Sequence, residues 1–254
     1  MTSERILRLT IEYDGTRYRG WQLQPEGPTI QGEIERALEV ILGRAHRVHG
    51  AGRTDAGVHA RAQVAHVRID HPMPERRLHR ALNGVLPKDI AVIGVERAPV
   101  GFHSRFSPHV KTYTYTIVNR PYRSVFWRER AWFIPSPLDW TAMARGLRSF
   151  EGEHDFRAFR ASNCQARTTI RTIEGSALDE VESGVFRFMI QGRGFLKQMV
   201  RTMIGTLVEI GKGRMTVEGV EALLAGAERR EAGPTAPARG LCLESITYLD
   251  ENPG

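Results

Sequence analysis

Apolar residues along this chain switch repeatedly between a spacing of two and a spacing of three to four. That switching limits the fold more than any other feature. From Ile6 to Tyr13, Leu7, Leu9, Ile11 and Tyr13 fall on one side, with Arg8, Thr10 and Glu12 on the other. This is the pattern of a half-buried strand. A glycine-rich turn and Trp21 follow, and then Ile30, Ile34, Leu38 and Ile41 mark a helical stripe that Thr29 caps and Gly43 ends. Short β segments near Arg47–Ala51 and Gln63–Ile69 flank the loop Gly50–Ala60. A helix about Pro74–Val85 and a strand about Ile90–Val95 complete a β, α, β, loop, β, α, β order. The second half repeats the recipe more loosely. It has strands near Lys111–Asn119, Thr168–Ala177, Val185–Gln191 and Leu241–Leu249, with helices near Asp139–Phe150, Phe195–Ile210 and Val217–Leu224. Strands interleaved with helices, and joined partly by hairpins, predict a mixed α+β architecture of two similar halves, 1–105 and 106–254. The joint is expected at about Pro99–Ser107 or within 120–137. Element order alone suggests the duplication, since no short-period repeat is present.

The 254 residues suffice for one large domain or two small ones. Charges break every apolar stretch at the N-terminus, and no run approaches a membrane span, so neither a secretory signal nor a transmembrane helix is expected. Two cysteines, Cys164 and Cys242, cannot form a disulfide framework or a CxxC zinc site, and the nine histidines contain no HxxxH or HExxH. The expectation is a cytoplasmic protein without a structural metal. Its basic side is 32 Arg and 4 Lys against 29 acidic residues, a net charge of +7. A polyanion is the leading partner on that balance, because the arginine fork pairs with phosphate and stacks on bases. A compositional preference for Arg on solvated faces gives the same count.

Three clusters concentrate the chemistry. Gly50-Ala-Gly-Arg-Thr-Asp-Ala-Gly-Val-His-Ala60 encloses Arg53, Thr54 and Asp55 between glycines that allow another chain to come close. It is not a nucleotide-phosphate loop, since GxxxxGK[ST] is absent and GxGxxG fails at Asp55. A β-turn whose Asp bonds its own backbone has the same composition. Phe102-His103-Ser-Arg105-Phe106 precedes Lys111, Tyr113 and Tyr115, two tyrosines on one strand face. Either tyrosine could stack on a base or fill core. In the helix expected from Phe195, residues 195, 196, 199, 200, 203, 204, 207 and 208 form an apolar stripe, and Lys197 and Arg201 lie four apart on the remaining face. That like-charge pair suits a solvated face, or a nearby anion that offsets the repulsion.

The string Ala51-Gly-Arg-Thr-Asp55-Ala-Gly-Val-His59 resembles the signature loop of the tRNA pseudouridine synthases of the A family. Further segments agree in order over residues 6 to 249. They are Ile11-Glu-Tyr-Asp-Gly15 with Gly20-Trp21-Gln22; Leu82-Asn83-Gly-Val-Leu86-Pro87 with Asp89-Ile90; Phe102-His-Ser-Arg105-Phe106; Lys111-Thr-Tyr113-Thr-Tyr115; His154-Asp155-Phe156; and Met199-Val-Arg201 with Gly205. The resemblance implies two pseudo-symmetric ferredoxin-like halves sharing a mixed, mainly antiparallel sheet flanked by helices, with the active cleft between them. It also implies isomerisation of uridine to pseudouridine at positions 38, 39 or 40 of the tRNA anticodon arm, with no metal or other cofactor, by a homodimer that shares the RNA.

The implied reaction breaks the N1–C1′ bond, turns the uracil and joins C5 to C1′, on a base that must first be flipped out of its stack. By resemblance Asp55 is the essential carboxylate, acting at the sugar, at the base or on the C2′ proton. Burial disfavours its charged form and a facing guanidinium favours it; the matching position is Arg201. Tyr113 matches the tyrosine that stacks on the extruded uracil. Arg53 matches an arginine beside the flipped nucleotide. The competing reading is a non-catalytic RNA-binding module of the same fold, which explains the charge and the tyrosines but gives Asp55 no task. A phosphate-handling small-molecule enzyme is the third, and it lacks the loop lysine and a metal-binding carboxylate pair.

Overall fold

Leu7, Leu9, Ile11 and Tyr13 are all buried in the first strand, β1 (Arg5–Tyr13), as their alternation requires. The computed structural model describes residues 4–249. After β1 the chain forms α1 (Ile30–Leu42), β2 (Val48–Gly50), β3 (His59–Ile69), α2 (Glu75–Val85) and β4 (Ile90–Arg97). It continues through β5 (His109–Val118), β6 (Trp132–Phe133), α3 (Trp140–Arg148), β7 (Gly152–Asp155), β8 (Ile170–Glu182) and β9 (Val185–Gly192). The helices α4 (Met199–Gly211) and α5 (Val217–Leu224) and the strand β10 (Leu241–Tyr248) complete it. None of the helices among the described residues is long and apolar enough to cross a membrane.

Among the described residues two compact units emerge, one running to His109 and resuming at Cys242, the other Val110–Leu241. This differs from a division at residue 105 with everything after it in the second half. The reason is a non-local pairing: β10 runs parallel to the start of β3, Cys242 opposite His59 and Leu243 opposite Ala60. No local pattern announces a parallel partner that arrives 183 residues later.

In the first unit β1 lies between β4 and β3, antiparallel to both, and β2 lines the far edge of β3. The order β4-β1-β3-β2 with two helical crossovers is the ferredoxin-like arrangement. Thr29 caps α1, its hydroxyl accepting from the Gly32 N–H, and Gly43 ends the helix at φ 76°. Ile30, Ile34, Ala37 and Leu38 of α1 are fully buried, each large side chain contributing about 1.5–3 kcal/mol relative to exposure. Asn83, inside a segment that carries the resemblance, behaves as an extra strand neighbour for β4. Its Oδ1 accepts from the Val92 N–H at 2.9 Å and its Nδ2 donates to the Val92 carbonyl at 2.7 Å. On the other sheet face Ile6, Val64, Phe102 and Tyr248 form a second core, and the Tyr248 hydroxyl donates to the Ser104 carbonyl at 2.7 Å.

In the second unit β5, β9, β8 and β7 form a run of antiparallel pairs, with β6 parallel to β5. α3 and α5 have the expected extents, and Asp139 caps α3. α4 starts four residues later than its apolar stripe suggests. Gln198 sits in the left-handed region at φ 62°, and the Lys197 carbonyl accepts from the Ala161 N–H at 2.9 Å instead of opening the helix. Lys197 therefore stands outside α4, which corrects the expected four-apart pairing of Lys197 with Arg201 on one helical face.

Candidate active site

Loop 50–60 crosses from β2 to β3, and its path is set by close contacts that glycine alone permits. Gly20 has φ 92°, and a Cβ there would stand 2.5 Å from the Thr54 carbonyl. A Cβ on Gly50 would stand 2.6 Å from the Trp21 ring, and one on Gly15 would collide with the Val58 carbonyl. Hydrogen bonds then tie the loop along its length. The Ala51 N–H donates to the Val64 carbonyl at 2.8 Å, the Trp21 N–H to the Thr54 carbonyl at 3.1 Å, and the Gly57 N–H to the Tyr18 carbonyl at 3.2 Å. Gln63, fully buried, donates through Nε2 to the Gly52 carbonyl at 3.0 Å.

Thr54 and Asp55 divide the work of this loop. Thr54 points into the core, where its Oγ1 lies 2.9 Å from the Tyr13 hydroxyl. Burial pushes the Tyr13 phenol well above its ordinary value, so it remains a protonated hydrogen-bonding group at any working pH. Asp55 is half-buried and Arg53 is exposed. The turn after Asp55 closes through its main chain, the Asp55 carbonyl accepting from the Val58 N–H at 3.1 Å.

A second tier supports the first. Asp89 receives the Tyr18 hydroxyl at 2.6 Å and the Arg17 guanidinium at 2.6 and 2.8 Å, and its carbonyl takes the Asp14 N–H at 2.9 Å. The turn after β1 is thereby pinned to the start of β4. From there the Tyr18 carbonyl reaches Gly57, and the Gly15 N–H donates to His59 Nδ1 at 3.1 Å.

In the second unit Tyr113 and Tyr115 alternate with Thr114 along β5, and both are buried. Tyr113 packs edge-on against Phe195, ring centres 4.9 Å apart. Phe195, expected in the α4 stripe, thus serves as a wall for the tyrosine instead. Arg201 lies in the first turn of α4, half-buried, and its Nε donates to the Ala236 carbonyl at 2.8 Å. Arg53 and Asp55 thus share one loop of the first unit, while Tyr113 and Arg201 belong to the second. Residues 233–240, among which Ala236 grips Arg201, carried no recognisable signal except the glycines at 233 and 240. Among the described residues no group of three or more His, Cys, Asp or Glu side chains is arranged to hold a metal.

The Phe102–Phe106 segment does two jobs. Phe102 is core, whereas Phe106 is exposed beneath Arg105, whose guanidinium lies 5.7 Å from its ring centre. Beside them His66 stacks with His49 at 5.0 Å and meets His103 edge-on at 4.4 Å. Burial, followed by the neighbouring imidazoles, pulls His66 down to about 4, and its Nδ1 accepts the Ser104 N–H.

The profile of a family described as "tRNA pseudouridine synthase" matches residues 9–107 and 147–249 of this chain. A protein of Citrifermentans bemidjiense named tRNA pseudouridine synthase A is 47% identical over 249 residues, covering 97% of this chain and 99% of the relative. Proteins of the same name from Myxococcus xanthus and Moorella thermoacetica are 45% and 46% identical. They cover 97% and 95% of this chain and 93% and 99% of their own lengths.

Proposed function

The chain belongs to the tRNA pseudouridine synthase family, and from that premise we propose that Asp55 is the essential carboxylate, with Tyr113, Arg201 and Arg53 binding the nucleoside it acts on. The enzyme isomerises uridine to pseudouridine in tRNA. The observation that carries the role of Asp55 is the construction of its loop. Thr54, one residue before it, is locked into the core, and Gly15, Gly20 and Gly50 admit supporting backbone and the Trp21 ring, yet Asp55 stays half-buried. A carboxylate held that rigidly at the edge of solvent suits a reaction whose gain comes from positioning.

The target uridines are those at positions 38, 39 and 40 of the anticodon arm. Extruding one costs a few kcal/mol of stacking and pairing, and Tyr113 supplies a ring face in return. Arg53, exposed one residue from Thr54, occupies or guides the space beside the flipped nucleotide. Arg201 balances the charge of the carboxylate during the reaction, a role for which its planar fork suits better than an ammonium. The working form is a cytoplasmic homodimer with the tRNA lying across both subunits. A monomeric mass by light scattering at micromolar concentration would remove that last element.

The test is tritium release from an anticodon-arm RNA carrying 5-tritiated uridine. Asp55→Asn abolishes release while retaining RNA affinity. Arg201→Ala lowers kcat by more than it raises the dissociation constant. Undiminished release by Asp55→Asn would remove the assignment. An Arg201→Ala variant impaired only in binding would make Arg201 a phosphate contact.

A further inference from the structure

Two adjacent carbonyls, those of Ala236 and Pro237, hold two different side chains in the second unit. The Ala236 carbonyl accepts from Arg201 Nε at 2.8 Å, and the Pro237 carbonyl accepts from the Tyr115 hydroxyl at 2.8 Å. Ala236 also returns a main-chain bond, its N–H donating to the Arg201 carbonyl at 3.0 Å. Arg201 is thus gripped at both its backbone and its guanidinium by one fully buried alanine. With Nε committed to that carbonyl, the orientation of the fork is restrained.

The segment that carries these carbonyls is sewn to α4 by contacts that require glycine. A Cβ on Gly205 would collide with the Pro234 carbonyl, and one on Gly233 would stand 2.6 Å from the Thr206 backbone. The Gly233 N–H donates to Thr206 Oγ1 at 3.0 Å. At the other end a Cβ on Gly240 would stand 2.5 Å from the Tyr115 ring. The Gly205 of the resemblance and the otherwise featureless Gly240 thereby acquire one purpose, a strap of 233–240 drawn tight between α4 and β5.

We propose that Tyr115 is a positioning residue for Arg201: its hydroxyl holds the Pro237 carbonyl, and the strap in turn sets the neighbouring Ala236 carbonyl that aims the guanidinium. The inference rests on the functional reading of Arg201 given above. Burial pushes the Tyr115 phenol well above its ordinary value, against the opposing charges of Arg201 and Arg239, so the hydroxyl remains a donor throughout the working pH range. Tyr113, two residues earlier on the same strand face, is assigned to the substrate, whereas the Tyr115 hydroxyl is committed to the Pro237 carbonyl.

The experiment compares Tyr115→Phe, Arg201→Ala, Arg201→Lys and the double variant Tyr115→Phe/Arg201→Lys in the full-length enzyme, under single turnover with anticodon-arm RNA. Tyr115→Phe keeps the ring and the fold. It lowers the chemical rate by about tenfold, the scale of a sub-ångström misplacement, with RNA affinity within about twofold of the parent. Lysine has no Nε–H to take the Ala236 carbonyl, so Tyr115→Phe costs nothing further in the Arg201→Lys background, a non-additive cycle. The Arg201 Nε–H signal in a 15N spectrum, protected from solvent exchange in the parent, exchanges faster in Tyr115→Phe. If Tyr115→Phe fails to fold, Gly240→Ala displaces the same ring and carries the comparison. A wild-type rate in Tyr115→Phe, or a loss that multiplies with Arg201→Lys, overturns the positioning role while leaving Arg201 in place. An unimpaired Arg201→Ala instead overturns the role of Arg201 itself.

Discussion

Gly20→Ala is the substitution that most sharply probes the Asp55 loop. Gly20 has φ 92°, and its new methyl would stand 2.5 Å from the Thr54 carbonyl and 3.0 Å from the Asp55 carbonyl carbon. Restoring an ordinary contact of 3.4 Å moves the Thr54–Asp55 peptide by about 0.9 Å, since backbone cannot rotate aside as a flexible side-chain end can. The left-handed conformation costs an L-residue roughly 1–2 kcal/mol, and overpacking adds roughly 1–3 kcal/mol. At roughly 2–4 °C per kcal/mol for a chain of this size, Tm falls by roughly 4–20 °C. A displacement near 1 Å at a reacting group costs on the order of 10²-fold in rate, so kcat drops by roughly that factor below the unfolding range. Gly43→Ala is the matched control, with φ 76° and nothing within 4 Å of the new methyl. It carries the conformational cost alone, lowers Tm by roughly 2–8 °C, and leaves kcat unchanged. Thermal unfolding by circular dichroism and tritium release on the two proteins make the comparison. Equal Tm losses with undiminished turnover in Gly20→Ala would refute the view that this contact places Asp55.

Thr54→Val leaves the Tyr13 hydroxyl without its 2.9 Å partner, costing about 1–3 kcal/mol in urea unfolding; an unchanged midpoint would show that the pair is dispensable. His66 is held neutral with its titration lowered from 6.5 to about 4. The unfolded chain therefore binds the extra proton between those values, and stability is full above pH 6.5 and declines as pH falls toward 4. His49, His103 and Arg68 face the same imidazole and disfavour its charge. After allowing for solvent screening, the decline attributable to His66 is on the order of 1–2 kcal/mol. His66→Asn flattens it in urea titrations at pH 7 and pH 5, and an equally steep decline in that variant would assign the effect elsewhere.

The elements whose evidence is local were legible in the sequence. Alternation marked β1, and Thr29 and Gly43 bracketed α1 because a cap and a stop act within one turn. The Asp55 loop was conspicuous because three glycines in eleven residues have few other uses. What escaped notice was non-local. β3 begins at His59, four residues before its expected start, where β10 pairs with it from the far end of the chain. The apolar residues Phe195 and Leu196 continue the α4 stripe on paper, yet the chain breaks at Gln198 and Phe195 turns to Tyr113. Burial on both sides of β5, including Thr114 and Thr116, likewise conceals an alternation that looks half-solvated. Arg201 stood out as a charge in an apolar helix. Its grip by Ala236 lies 35 residues away in a stretch of alanines and prolines that no periodicity distinguishes.

The most direct measurement is to incubate unmodified anticodon-arm RNA bearing uridines at 38, 39 and 40 with the parent enzyme and with Asp55→Asn, then quantify and map pseudouridine after nuclease digestion. The account predicts conversion within those three positions by the parent. It predicts none by Asp55→Asn, although that variant binds the RNA with comparable affinity and melts at a comparable temperature. Pseudouridine formed at the parental rate by Asp55→Asn would contradict it.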